Sequence, residues 1–154
     1  MSVVNEILMG SWMLIGIMTL HGFGMSRVML RFESKGLKYA QHPSEFKRQL
    51  FFGNLVGMML VTHLLEIFVW GLLLYAVGAL PDLRTAFYFS GETYTTLGLG
   101  DVTLPPEWRQ ITSLISISGV FAFGWTTGVL VKIVDKYYEA RMAKGQNMNE
   151  GDKD

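Results

Sequence analysis

The chain has 154 residues, half of them hydrophobic, with 13 basic against 13 acidic side chains and no cysteine; its mean hydropathy is +0.30. The balanced charge offers no basic surface for nucleic acid. The lack of cysteine excludes disulfides and thiolate metal sites.

The apolar residues come in three blocks, from about Ile7 to Met25, Leu50 to Leu80 and Ile111 to Val134. A helix needs roughly 20 apolar residues to cross the hydrocarbon layer. Each block therefore predicts a spanning helix, the middle one long enough to tilt or to project beyond the bilayer. No Lys or Arg precedes the first block and no clear small-residue cleavage site follows it, which argues against a cleaved secretory signal.

Arg27 and Arg31 end the first block one turn apart. A voltage sensor needs basic residues repeated through the span, so these two are read as topology anchors. The polar stretch 31–47 holds the breakers Gly36 and Pro43 and predicts a short surface helix over 34–40. Basic residues cluster here (Arg27, Arg31, Lys35, Lys38, Lys47, Arg48) and after the third block (Lys136, Arg141, Lys144, Lys153), with only Arg84 and Arg109 between the second and third. Basic flanks stay cytoplasmic, which places the N-terminus outside, the first loop inside, the second loop outside and the C-terminus inside.

His63 and Glu66 lie one turn apart in the second block. Ionisable groups within a span usually face protein or water. A proton-sensitive pair is one reading; a buried hydrogen-bonded pair that fixes helix packing is the plainer one and is preferred. A metal site from these two lacks an evident third ligand. His21, on the first helix, together with His63 is weak evidence for a haem.

Pro81-Asp82 opens a further helix. Its apolar residues Leu83, Ala86, Phe87 and Phe89 have helical spacing but the segment is too short to span. The run Thr95-Thr96-Leu97-Gly98-Leu99-Gly100-Asp101 follows, and Pro105-Pro106 stops it before a third helix that begins at Glu107. Two glycines alternate with side chains, so the strip can take backbone conformations that other residues resist. Such a strip can aim successive carbonyls at one axis, the chemistry that replaces the water shell of a cation. Non-helical backbone at membrane depth is allowed only where protein buries it or a water-filled cavity lies beside it. One copy cannot surround an axis but four can, which implies a cyclic homotetramer.

The strip resembles the potassium-channel selectivity filter, T-x-G-Y-G-D, with Leu99 in the place of the usual tyrosine. The resemblance covers roughly 50–134. It implies that the carbonyls of Thr96, Leu97, Gly98 and Leu99 bind K+, with Gly98, Leu99 and Gly100 in the place of the Gly-Tyr-Gly triplet. It implies filter support from Thr95, from Tyr88 and Phe89 as an aromatic cuff, and from Glu92 paired with Asp101 through a shared proton, with Tyr88 bonded to Asp101. Leu99 loses the hydrogen bond of a tyrosine, a change of ~1 kcal/mol per subunit.

Gly119-Val120-Phe121-Ala122-Phe123-Gly124 resembles the inner-helix hinge region of simple potassium channels. Gly119 is then either a hinge or a close-packing glycine. Taken further, that resemblance implies that Val120, Phe123, Thr127 and Val131, which share one helical face, line the inner pore. A ring of Phe123 side chains is a candidate gate by dewetting.

The expectation is an all-α membrane protein with three transmembrane helices, a re-entrant pore helix and a filter loop. Residues 1–48 form an outer helix and a basic cytoplasmic loop, 49–135 the pore domain, and 136–154 a short cytoplasmic tail. The expected function is a potassium-selective channel of the cell membrane, not an enzyme and without a cofactor. Its partners are the lipid bilayer, permeant K+ (with Na+ if the filter is loose), its own copies and an unknown regulatory subunit. The alternatives are a weakly selective Na+/K+ channel, because of Leu99, and more distantly a non-conducting membrane subunit or scaffold.

Overall fold

The structure, a computed structural model, describes residues 3–150 and contains no strand among them. In chain order the helices are α1 (Val3–Ala40), α2 (Glu45–Ala76), α3 (Leu83–Tyr94) and α4 (Arg109–Glu150), with a 3-10 turn, Pro106–Trp108, leading into α4. Three of them, α1, α2 and α4, are long and apolar enough to cross a membrane. The chain is a multi-pass, all-helical membrane protein.

The helices α1 and α4 exceed their apolar blocks, whereas α2 starts ahead of its block and stops at Ala76, short of Leu80. The separate surface helix expected over 34–40 does not exist, because α1 runs through it to Ala40. Gly36 does not break the helix: a glycine costs only about 1 kcal/mol against alanine there. Its missing side chain leaves room for the ring of Phe32, which a Cβ at 36 would strike. Pro43 remains in the short connection that follows. The stretch expected as a polar tail after Lys136 is also helical, to Glu150. It is rich in Ala, Glu, Lys, Arg and Met, which favour helix without needing an apolar face.

The chain divides into two compact units, and all three long helices contribute to both. The unit formed by Gly24–Leu60 and the chain from Thr126 onward is built around Met25, Val28 and Phe32, Phe51, Leu55 and Met59, and Ile133. Spacings of three and four put each set on one helix face. Tyr39 stacks on Phe51 with centroids 4.5 Å apart.

The other unit, formed by the chain up to Phe23 and by Val61–Trp125, holds α3 and the glycine strip. Its core gathers Ile17, Trp70, Leu74, Phe89, Tyr94, Ile111 and Ile115. The buried Trp70 Nε1 donates to Ser118 Oγ at 3.0 Å, joining α2 to α4. Gly71 lets α2 approach α3 closely, since a Cβ there would stand 3.0 Å from Phe87 Cα. Glu6 of α1 is buried, and its Oε1 accepts from the Gln110 N–H at 2.5 Å. A carboxylate suits that place, because the first N–H groups of α4 have no partner within the helix and carry the positive end of its dipole.

Asp82 starts α3. Its carboxylate accepts from the Thr85 N–H at 2.9 Å and from the Thr85 hydroxyl at 2.7 Å. These two bonds, the backbone one first, hold its carboxyl below the usual carboxylate range. A lowered value in the folded state means that this stabilisation is complete above the unfolded value of about 3.9. It is lost as pH falls through the folded value. Asp82→Ala is expected to lower the thermal midpoint of the purified protein at neutral pH, with Asp82→Asn lying between the two. The gap between wild type and Asp82→Ala closes in acid, as scanning fluorimetry across pH would show.

Candidate functional site

The glycine strip begins in the cap of α3. The Thr96 N–H donates to the Thr93 carbonyl at 3.1 Å and the Leu97 N–H to the Glu92 carbonyl at 2.8 Å. Thr96 between them has φ +59°. This pair of bonds around a left-handed residue is the Schellman ending of a helix, where glycine normally stands. A β-branched residue in that region is an outlier, and such strain costs on the order of 1–3 kcal/mol and gathers at functional sites.

The left-handed residues then alternate. Thr96, Gly98 and Gly100 have φ of +59°, +55° and +78°, while Leu97 and Leu99 stay negative. Reversal of hand at every second residue is the backbone pattern that lets successive carbonyls face one side, instead of opposite sides as in a strand. The side chains of Leu97 and Leu99 are 63% and 61% exposed in the single chain. The partial negative charge at the end of α3 lies at the start of the same strip.

Behind the strip, the Tyr88 hydroxyl donates to Asp101 Oδ2 at 3.0 Å, as expected from the sequence. That bond, and the negative charges of Asp101 and Glu92, raise the Tyr88 phenol above its ordinary value. Asp101 Oδ1 accepts from the Val102 N–H at 3.1 Å. The expected carboxyl pair is not closed: Asp101 spends its oxygens on Tyr88 and Val102, and the buried Glu92 Oε2 has no hydrogen-bond partner. The two aromatic residues expected as a cuff also separate. Phe89 is in the core, whereas Tyr88 is exposed and reaches Asp101. The Thr95 hydroxyl turns back to the Gly91 carbonyl at 2.8 Å.

On α4, Gly119 is a contact glycine. A Cβ there would run into the carbonyl oxygen of Tyr94, the last residue of α3. Ser116 Oγ donates to the Thr93 carbonyl at 3.1 Å from the same face. Val120 is exposed. Phe123 lays its ring on His63, with centroids 4.7 Å apart, and meets Tyr94 edge-on at 5.6 Å. Thr127 and Val131 belong to the unit that includes Gly24–Leu60 and are exposed there.

Four polar residues, His21, His63, Glu66 and Tyr94, meet in one buried cluster. His21 Nδ1 bonds Glu66 Oε1 at 2.8 Å, and the Tyr94 hydroxyl donates to Glu66 Oε2 at 2.5 Å. His63 Nδ1 lies 2.8 Å from the same hydroxyl and 4.0 Å from Glu66 Oε2. The plainer expectation for His63 and Glu66, a buried hydrogen-bonded arrangement, describes what is seen. The sequence did not reveal that His21 and Tyr94 complete it. Tyr94 reads as a core aromatic, and the register of α1 against α2 leaves no local signal. The one available hint was that intramembrane ionisable groups seek each other.

Tyr94→Phe removes the hydroxyl shared by Glu66 and His63 and leaves a buried carboxylate oxygen short of a donor. Such a loss costs about 1–3 kcal/mol. The expected result is a clear fall in thermal stability of the purified protein, with a larger fall for Glu66→Ala, which strips partners from both Tyr94 and His21.

A family model described as "Ion channel" matches residues 62–136. Comparison with curated proteins and with solved structures gives no significant match. The matched stretch starts in α2, contains α3 and the glycine strip, and ends in α4. The alternating backbone therefore lies within the matched stretch, and residues 62–136 are an ion-channel domain of the potassium-channel type.

Proposed function

We propose that the chain assembles as a homotetramer in the cell membrane and conducts K+ selectively through a filter formed by Thr96–Gly100. The observation that carries this reading is the alternation of left-handed φ at Thr96, Gly98 and Gly100 directly after a short helix. Carbonyls turned to one side replace the water shell of a cation only when several copies ring an axis. Four copies do so in a closed cyclic assembly, which also covers the exposed Leu97 and Leu99.

The filter and its Asp101 face outward and the basic ends face the cytoplasm, in keeping with the distribution of Lys and Arg. The ion sheds its water at the Thr96 to Leu99 carbonyls, with Gly100 shaping the outer mouth and Thr95, Tyr88, Glu92, Phe89 and Asp101 supporting from behind. The α3 helix ends point their negative poles at the cavity and favour a cation there. Val120, Phe123, Thr127 and Val131 line the inner path, and Gly119 sets how closely that path approaches the filter. No catalytic chemistry and no resident cofactor are assigned.

Leu99 cannot make the hydrogen bond of a tyrosine, worth ~1 kcal/mol per subunit. Here the Tyr88–Asp101 bond supplies support from behind the strip instead. The test is the reversal potential of the reconstituted protein under opposed K+ and Na+ gradients. A value near the K+ equilibrium potential is expected, with Leu99→Tyr changing it little. A value near zero with clear current contradicts K+ selectivity and supports the weakly selective alternative, and the absence of current from a folded tetramer supports the non-conducting one.

A further inference from the structure

The buried cluster in the unit that holds α3 has the donor set of a metal centre. His21, His63 and Glu66 each offer one ligand atom, all within 4.8 Å of one another and all three residues buried. Tyr94 stands among them, its oxygen 2.8 Å from His63 Nδ1 and 2.5 Å from Glu66 Oε2. The residues come from α1, α2 and α3, so this is no accident of one helix face. Three of the four are spread along separate segments of the chain, and only the fold assembles them.

The contacts converge on one point: the Tyr94 hydroxyl donates to Glu66 Oε2, and the histidines present Nδ1 to the same place, His21 against Glu66 Oε1 and His63 against the Tyr94 hydroxyl. Two imidazole nitrogens, a carboxylate oxygen and a phenol oxygen form an N/O set that suits zinc and its first-row neighbours in four-coordinate geometry.

We propose that His21, His63, Glu66 and Tyr94 bind a divalent first-row transition metal ion, with zinc as the physiological class. Ligand pairs now 2.5–2.8 Å apart open by several tenths of an ångström to accept bonds of about 2.0–2.2 Å. Phe123 against His63 and Trp125 against His21, the latter with ring centroids 5.4 Å apart, form an aromatic wall around it. The bound ion fastens the last residue of the pore helix to α1 and α2, one residue before the strip begins.

The test uses the full-length protein in detergent, stripped with a chelator and titrated with Co2+ and then Zn2+. The wild type is expected to take up one Co2+ per subunit, to show the intense visible absorption of four-coordinate cobalt, and to lose that absorption when zinc displaces it. His21→Gln and His63→Gln are each expected to weaken uptake at least about a hundredfold, since even outer-shell partners cost 10–100-fold. His42→Gln, which removes the only other histidine, leaves uptake unchanged. The proposal is overturned if the stripped wild type shows no such absorption, or if binding survives in His21→Gln and His63→Gln or disappears in His42→Gln. The wild-type titration decides the matter even where a variant fails to fold, and none of these readouts depends on ion selectivity.

Discussion

The rest of the structure depends on how α3 ends. The Glu92 carbonyl accepts both the Leu97 N–H at 2.8 Å and the Gly98 N–H at 3.3 Å, across a left-handed Thr96. A single acceptor thus fixes the direction in which the chain leaves the helix. A glycine in the place of Thr96 would relieve the strain but loosen that exit, because glycine has more conformations to lose. Threonine in this conformation is held by its surroundings, and those surroundings occupy most of the unit that holds α3.

Three kinds of contact hold them. Backbone approaches fix the position of α3: Gly71 brings α2 against Phe87, and Gly119 brings α4 against the Tyr94 carbonyl. Hydrogen bonds fix its ends: Asp82 at the start, and Ser116 on the Thr93 carbonyl at the finish. The Tyr94 hydroxyl then ties the last helical residue to Glu66, and through it to His21 on α1. This last link gives the extra helix a purpose. The family match begins at residue 62, within α2, yet α1 supplies His21 to the buried cluster and Glu6 to the start of α4. The first helix is a structural part of the unit that carries the glycine strip, and its polar residues are the means.

Much of this was legible in the sequence. Three apolar blocks gave the spans because length and hydropathy alone decide what can cross a bilayer. Pro81-Asp82 marked the start of α3 correctly because helix capping is a local interaction, and the Gly98 and Gly100 positions marked the strip because positive φ is a local demand. What remained hidden was long-range or cooperative. Gly36 looked like a breaker, and only packing of Phe32 explains why the helix passes through it. Tyr88 and Phe89 looked like a pair, and only the orientation of α3 sends one to Asp101 and the other into the core. Glu92 and Asp101 looked like partners, and only the competing Tyr88 and Val102 bonds show where the Asp101 oxygens go. His21 and Glu66 are 45 residues apart, and nothing local encodes their meeting.

The central claim is that Thr96–Gly100 turns its carbonyls to a common axis. The most direct measurement is a structure of the assembled protein in a bilayer mimic, determined with thallium in place of potassium. Discrete thallium peaks on a fourfold axis, level with the carbonyls of Thr96, Leu97, Gly98 and Leu99, are the predicted result. An axis without peaks at those levels, or a strip in which Thr96 and Gly98 have returned to negative φ, would contradict the account.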